Sequence, residues 1–274
     1  MRTRQALLRA ALLATCVAAL PLAAGAAKQA AVTQQSHIYL HGPNGQLTTG
    51  LRCGTPGPTP EEVSAVARVL DSAELQEPVS DRITVPIAFH ILYKVNDAGE
   101  IVGIPPEGQI EDQVAVLNDA YSGFEFHLAS VDSFEQTEEA PWFDECYKYN
   151  AQMKRALAIS PETTLNLYTC TPYIGPSLLL GYATFPWSYP EDSFLHGVVV
   201  LYSSLPGGGA YPYDEGDTAT HEIGHYLGLW HTFESGCTVP GDEVRDTPYE
   251  ATPAFGCPVG RDGSITELFR RDQP

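Results

Sequence analysis

The stretch HEIGHYLGLWH, residues 221–231, contains the pattern His-Glu-x-x-His-x-x-Gly-x-x-His and guides the interpretation of the whole chain. On a helix, positions four apart lie on one face, so His221 and His225 present two imidazoles to the same point. Gly228 can take a left-handed conformation at low cost, which ends the helix and brings in His231 as a third ligand. Three histidines with an open fourth position are typical of a catalytic Zn²⁺ site.

Glu222 follows the first histidine but lies about 100° further around the helix, so it need not bind the metal. Zinc lowers the pKa of a bound water to about 7 and polarises a carbonyl, and Glu222 is placed to take the proton of that water. The pattern therefore predicts peptide-bond hydrolysis. A structural zinc site is the alternative, but such sites fill all four positions, and no fourth ligand is near in sequence. Asp217 or Thr218 is expected to cap the helix.

The composition is that of a globular protein with an acidic surface. The 274 residues are 43% hydrophobic, and 34 acidic against 15 basic side chains give a formal net charge of −19. A surface of this sign repels phosphate backbones and anionic bilayers, so no nucleic-acid partner is expected. The acidic charge is otherwise explained by its contribution to solubility. We expect the protein to be a monomer.

Residues 1–26 are predicted to be a secretory signal peptide. Three arginines precede an uncharged run from Ala10 to Ala27, which ends in small residues. A membrane anchor is the alternative, but Pro21 and Gly25 interrupt the run, which is shorter than the ~20 apolar residues that a span needs. We therefore expect secretion to the extracellular space, with no membrane attachment once the signal is removed.

The sequence pattern changes near residues 76–82, which predicts a domain boundary before Ile83. Thr59 and Glu62 form a capping-box pattern at the start of a helix that ends near residue 73. Strands and helices alternate from Ile83 onward, and this mixture indicates an α/β or α+β fold. The predicted strands cover residues 83–93, 124–131, 164–168 and 198–202, and the predicted helices cover 109–121 and 150–159.

The motif at residues 221–231 resembles that of the metzincin zinc metalloproteases. The segments His231-Thr232-Phe233, Gly236-Cys237 and Asp246-Thr247-Pro248 further resemble the pappalysin family, in its secreted cytophagalysin-like branch, over roughly residues 50–260. The resemblance implies an α+β fold with a twisted mixed sheet, two helices and protein or peptide substrates. In that family the edge strand of the sheet pairs antiparallel with the substrate. Val198 to Tyr202 lies at the corresponding place in this sequence.

The resemblance also explains an odd cysteine. The six cysteines include Cys16 of the predicted signal, so the exported chain keeps an odd number. Arg52-Cys53-Gly54-Thr55 resembles the family's cysteine-switch segment, in which a propeptide thiolate takes the open zinc position and keeps the precursor latent. The resemblance thus implies that residues 27–82 are the propeptide and residues 83–274 the catalytic domain. A disulfide from Cys53 to another cysteine is the alternative. Cys146 and Cys170 are then expected to pair, although connectivity cannot be read from sequence.

The sequence also contains a possible second metal site and further histidines outside the motif. Residues 241–247 resemble a calcium-binding loop of some family members, with Asp242 and Asp246 supplying oxygens that suit Ca²⁺; a solvated turn is equally compatible. His90 and His127 each stand alone in a strand pattern. They are expected to be core or surface residues, not ligands.

The chain departs from the family pattern after the third histidine. Metzincins carry a methionine in a tight turn beneath the zinc, whereas the two methionines here are Met1 and Met153. From about Gly263 the sequence no longer resembles the family, which we interpret as truncation, a frameshift or a mispredicted gene end, with an incomplete C-terminal subdomain. Two function classes follow. One is a secreted zinc endopeptidase made as a latent zymogen, and the other is an inactive zinc-binding remnant without the Met-turn region.

Overall fold

The computed structural model describes residues 37–42, 45–72, 81–234, 236–237, 241–244 and 247–254. The predicted signal peptide lies outside these residues, as do Asp246 and residues 255–274. The chain divides into two compact units. Unit 1 holds the described residues of His37–Thr55 and Leu75–Gly228, and unit 2 those of Pro56–Glu74 and Leu229–Pro274.

Strands and helices alternate along the described residues. The strands are β1 (His37–His41), β2 (Leu47–Leu51), β3 (Ile83–Val95), β4 (Ile101–Val102), β5 (Phe124–Glu135), β6 (Leu165–Cys170), β7 (Tyr173–Ile174), β8 (Ser177–Leu179), β9 (Gly181–Ala183) and β10 (Val198–Leu201). The helices are α1 (Pro60–Ser72), α2 (Gln109–Ala120), α3 (Trp142–Glu145), α4 (Asn150–Leu157) and α5 (Asp217–Tyr226). The strands and helices predicted from the sequence are all present.

The main sheet of unit 1 is mixed. Its strands follow the order β5-β3-β6-β10-β9, in which the first four are parallel and β9 is antiparallel to β10. The short strand β4 pairs antiparallel with the end of β3. All four residues of β10 are buried, as expected for an interior strand of a parallel sheet. The expectation that Val198 to Tyr202 forms the substrate edge is therefore wrong, because β9 pairs beyond β10 and occupies that edge.

Two helices pack against one face of this sheet. Alternate residues of a strand share a face, and Ile87, Phe89 and Val200 point from the sheet into the same buried cluster as Leu117 of α2 and Ile223 of α5. These side chains are almost completely removed from water. Burial of this apolar surface stabilises the position of α5, which carries the histidine motif. The α+β architecture with a mixed sheet and two helices is confirmed.

A second, smaller sheet joins the predicted propeptide to the rest of unit 1. Its order is β1-β2-β8-β7, and β2 runs parallel to β8, with Leu51 opposite Leu179. On one side of this sheet, Ile38 and Leu40 are buried against Leu178. The predicted propeptide thus contributes a strand hairpin, β1 and β2, to the core of unit 1.

Helix α1 belongs to unit 2 and begins as the sequence predicts. The backbone N–H of Thr59 donates to Glu62 Oε2 at 2.7 Å, and the backbone N–H of Glu62 donates to Thr59 Oγ1 at 3.2 Å. This reciprocal pair is a capping box, which satisfies two donors that a helix start otherwise leaves without partners.

Candidate metal centre

The helix that carries the motif begins at a glycine. Gly216 is the N-cap of α5 with φ of 89°, and no side chain caps the helix. The expectation that Asp217 or Thr218 forms the cap is therefore wrong. Asp217 lies inside the first turn, where a negative charge interacts favourably with the helix dipole. Gln113 of α2 holds this start, because its Nε2 donates to Gly216 O at 3.1 Å.

The first two predicted ligands face each other. Nε2 of His221 lies 3.1 Å from Nε2 of His225. Two nitrogens bound tetrahedrally to one Zn²⁺ at the usual bond length are separated by about 3.3 Å. Nitrogen and sulfur donors suit zinc, and a Cys53 donor atom lies within 4.8 Å of those of both histidines. The donor set of unit 1 therefore fits a zinc ion.

The segment that carries Cys53 lies against the edge strand β9. The backbone N–H of Gly54 donates to Gly181 O at 2.7 Å. A Cβ at position 54 would lie 2.7 Å from Leu179 Cδ1 and 3.3 Å from Tyr182 Cβ. Glycine is needed at position 54 because a side chain would push the segment, and Cys53 with it, away from the strand.

Glu222 is fully buried beside Cys53. Its Oε2 accepts a hydrogen bond from Thr55 Oγ1 at 2.9 Å and a longer one from Cys53 Sγ at 3.6 Å. Burial raises the pKa of Glu222 to about 8, because the carboxylate loses its hydration. Burial and the Glu222 charge raise the pKa of the Cys53 thiol. A bound cation acts in the opposite direction and favours the thiolate.

A second glycine brings Glu222 close to the sheet. A Cβ at Gly181 would lie 2.8 Å from Glu222 Cγ and 2.9 Å from Val199 O. Any larger residue would separate α5 from β9, so Gly181 sets the distance between the predicted base and the edge strand.

Aromatic rings support His225 from the side. The ring of Phe185 meets the His225 ring edge to face, with centroids 5.5 Å apart. Phe185 also stacks in parallel on Trp187, with ring centroids 4.9 Å apart. Gly228 has φ of 104°, as predicted, and a Cβ there would lie 3.3 Å from the Trp187 ring. These packed rings restrict the orientation of the His225 imidazole.

His231 belongs to unit 2, where a carboxylate orients it. Its Nδ1 lies 3.1 Å from Glu234 Oε1, and its ring stacks on Phe233 with centroids 4.8 Å apart. A carboxylate on one ring nitrogen is the usual arrangement for a histidine whose other nitrogen binds a metal. The metal role of His231 stays a prediction from the motif.

The remaining predicted residues divide into three groups. Cys146 and Cys170 form a disulfide between the end of α3 and the end of β6. Asp242 is buried, and its Oδ1 accepts the backbone N–H of Val244 at 3.1 Å, whereas Asp246 lies outside the described residues. The calcium site therefore stays a prediction. His90 is a core residue, with Nε2 2.9 Å from Asn166 Oδ1, and His127 is exposed.

The model of the peptidase family M43, described as pregnancy-associated plasma protein-A, matches residues 179–261. An extracellular metalloprotease of Podospora anserina is 36% identical over 235 residues, which cover 79% of this chain and 78% of that protein. The chain belongs to the M43 metallopeptidase family. It is a metalloendopeptidase, and family membership implies a metal cofactor and protein substrates.

Further comparisons agree with M43 membership. Extracellular metalloprotease 1 of Coccidioides posadasii is 37% identical, with 74% of this chain and 70% of that protein covered. Mature mirolysin of Tannerella forsythia, solved with a cleaved peptide, is 26% identical, with a TM-score of 0.51, 66% of this chain covered and 76% of that one. A promirolysin variant is similar in fold, with a TM-score of 0.59 at 23% identity, covering 78% and 83% of the two chains. No described helix is long and apolar enough to span a membrane.

The structure adds residues that sequence reasoning missed. Thr55 and Gly181 lie against Glu222, Phe185 lies against His225, and Ala183 contacts Thr55. Their contacts depend on the pairing of distant segments, so no local pattern reveals them.

Proposed function

We propose that this M43 protease is a secreted zinc-dependent endopeptidase, made as a latent zymogen. The observation that carries the proposal is the meeting of four side chains in unit 1. The donor atoms of Cys53, His221 and His225 converge, and Glu222 lies beside them with its Oε2 3.6 Å from Cys53 Sγ. The proposal assigns His231 as the third histidine ligand, by its position in the motif.

Each residue has a separate role in the proposed reaction. When bound, zinc supplies Lewis-acid polarisation of the attacking water and of the scissile carbonyl. His221, His225 and His231 hold the metal, and Glu222 accepts the proton of the water and returns it to the leaving amine.

The latent form uses the segment before the catalytic domain. We assign residues 1–26 as the signal peptide, 27–82 as the propeptide and 83–274 as the catalytic domain. In this precursor the Cys53 thiolate would bind the zinc together with the histidines and keep water from the metal. The fit of Gly54 against β9 supports this role, because Cys53 is held at the histidines by backbone pairing.

Metal analysis tests the ligand assignment. The purified chain is expected to hold one zinc, and His225→Ala is expected to lose most of it, because two histidines bind zinc more weakly than three. His127→Ala is the matched control, since His127 is exposed and far from the motif in sequence. Unchanged zinc content in His225→Ala would disprove the assignment.

Removal of the thiol tests latency. Cys53→Ser is expected to give an uncut precursor that cleaves a peptide substrate, whereas the uncut parent does not, because a hydroxyl is a much weaker zinc ligand than a thiolate. Equal latency of the two precursors, followed by equal activity after processing, would reject the switch. An inactive remnant is the second candidate, and it predicts no turnover that depends on Glu222 in either form.

A further inference from the structure

Thr55 occupies a small polar site of its own next to the metal ligands. Its side chain is fully buried, and its Oγ1 has two partners on different elements. The backbone N–H of Ala183 on β9 donates to Oγ1 at 2.8 Å, and Oγ1 donates to Glu222 Oε2 at 2.9 Å. The hydroxyl is therefore used once as an acceptor and once as a donor.

The position of this hydroxyl is fixed from both sides. Gly54 allows the segment to lie directly on β9, and Gly181 allows Glu222 to approach the same strand. The backbone N–H of Thr55 also donates to Cys53 Sγ at 3.3 Å, which links the hydroxyl and the thiol in one turn. An N–H and a carboxylate oxygen that face each other across a buried gap need a group that accepts and donates, and a hydroxyl does both.

We propose that Ala183 N–H and Glu222 form a hydroxyl-binding site that recognises Thr55 as a second latch of the latent form. The ligand class is a peptide with a side-chain hydroxyl two residues after a thiol, here Cys-Gly-Thr. The latch holds Glu222 through its carboxylate while Cys53 blocks the metal. This inference rests on the proposed zymogen, but the contacts of Thr55 involve no metal.

The chemistry predicts a strong dependence on the hydroxyl. Thr55→Val keeps the shape of the side chain and leaves the buried Ala183 N–H and Glu222 Oε2 without this partner. Loss of a buried hydrogen-bond partner is expected to raise the population of the open state, in which the Cys53 segment has left β9, by about tenfold or more. Thr55→Ser keeps the hydroxyl and removes only a methyl group. Thr49→Val makes the same chemical change at an exposed position of β2 and is the matched control.

Alkylation of Cys53 in the full chain tests the latch. Iodoacetamide is applied to the parent and the variants after removal of metal with a chelator, and the rate at Cys53 is followed by peptide mass analysis. Thr55→Val is expected to react about tenfold faster than the parent, with Thr55→Ser and Thr49→Val within about twofold of it. A rate for Thr55→Val equal to that of Thr49→Val, or for Thr55→Ser as high as for Thr55→Val, would overturn the proposal.

Two additions separate the possible failures. Thr55→Ala also removes the hydroxyl and replaces Thr55→Val if that variant does not fold. Hydrogen exchange of the Ala183 amide is expected to be faster in Thr55→Ala than in Thr55→Ser. Equal exchange rates in these two variants would overturn the latch. Repeating the alkylation with zinc tests the proposed function separately. If zinc does not slow alkylation of the parent, Cys53 is not a ligand, whereas the metal-free comparison still decides the role of Thr55.

Discussion

Glu222 and Lys154 are both fully buried ionisable groups, but their surroundings differ. Glu222 lies at the sheet edge, where its hydrogen-bond donors are Thr55 and Cys53. Lys154 lies in α4, where its Nζ donates to Leu195 O at 3.0 Å and Gly197 O at 3.4 Å. Burial raises the pKa of Glu222 to about 8 and lowers the pKa of Lys154 to about 7, because it disfavours the charged form of each.

The two groups differ in whether their hydrogen-bond partners can be removed by cleavage of the chain. The partners of Glu222 belong to the predicted propeptide, so cleavage would expose the carboxylate to water and substrate. The partners of Lys154 are backbone carbonyls of the segment that leads into β10, and they stay in place. In the proposed mechanism the buried group at the sheet edge, Glu222, takes part in the chemistry, whereas the buried group in α4, Lys154, has a structural role. Three substitutions test this contrast.

The largest effect is expected for Glu222→Gln in the processed enzyme. Turnover is expected to fall by about 10²-fold or more, because the amide cannot accept the proton, while zinc content stays the same. The free energy of unfolding is expected to change little, since the amide has nearly the same shape as the carboxyl group that it replaces. Turnover is measured with a peptide substrate.

The control for this change is Glu215→Gln, just before α5, where the side chain is exposed. Its turnover is expected to match that of the parent. If Glu222→Gln retains full turnover, Glu222 is not the base.

An intermediate effect, on stability alone, is expected for Lys154→Met. Between pH about 7 and 10.5 the unfolded chain keeps the Lys154 proton that the folded chain releases. The free energy of unfolding of the parent therefore rises with pH in this window, by up to about 1.4 kcal/mol per pH unit from this group. The variant lacks this contribution, so its advantage over the parent is expected to shrink between about pH 7.5 and about pH 9. Urea unfolding measures both proteins.

Lys148→Met provides the comparison, because Lys148 is exposed in the same region of the chain. Its difference from the parent is expected to stay constant over that pH range. A constant difference for Lys154→Met as well would show that Lys154 does not titrate between the two states.

The smallest effect is expected for Tyr182→Phe. Tyr182 lies in β9 between Gly181 and Ala183, and its hydroxyl donates to Asn150 Oδ1 at 3.1 Å at the start of α4. Loss of this bond is expected to lower the free energy of unfolding by about 1 kcal/mol, with zinc content and latency unchanged. Tyr39→Phe, at an exposed position, is the control. If the uncut Tyr182→Phe precursor cleaved the peptide substrate, the contact of Tyr182 with α4 would be coupled to the metal centre.

The sequence predicted the elements of the fold well, since local patterns specify them. The capping box at Thr59, the buried run of β10 and the helical spacing of His221 and His225 all depend on residues within a few positions of each other. The order of the strands in the sheet depends on pairing between distant segments, so local patterns do not specify it. Val198 to Tyr202 was expected at the edge, but the glycine-containing strand β9 pairs beyond it and shields it.

The sequence by itself determined the family, and it predicted the donor set of His221, His225 and His231 and the role of Glu222, because a helix of fixed pitch converts residue spacing into geometry. Only the tertiary structure decided what surrounds that motif. Thr55 and Glu222 are separated by 167 positions, and their contact exists because β9 pairs with the Cys53 segment on one side and approaches α5 on the other. Such contacts follow from the packing of distant elements, which residue spacing along the chain does not encode.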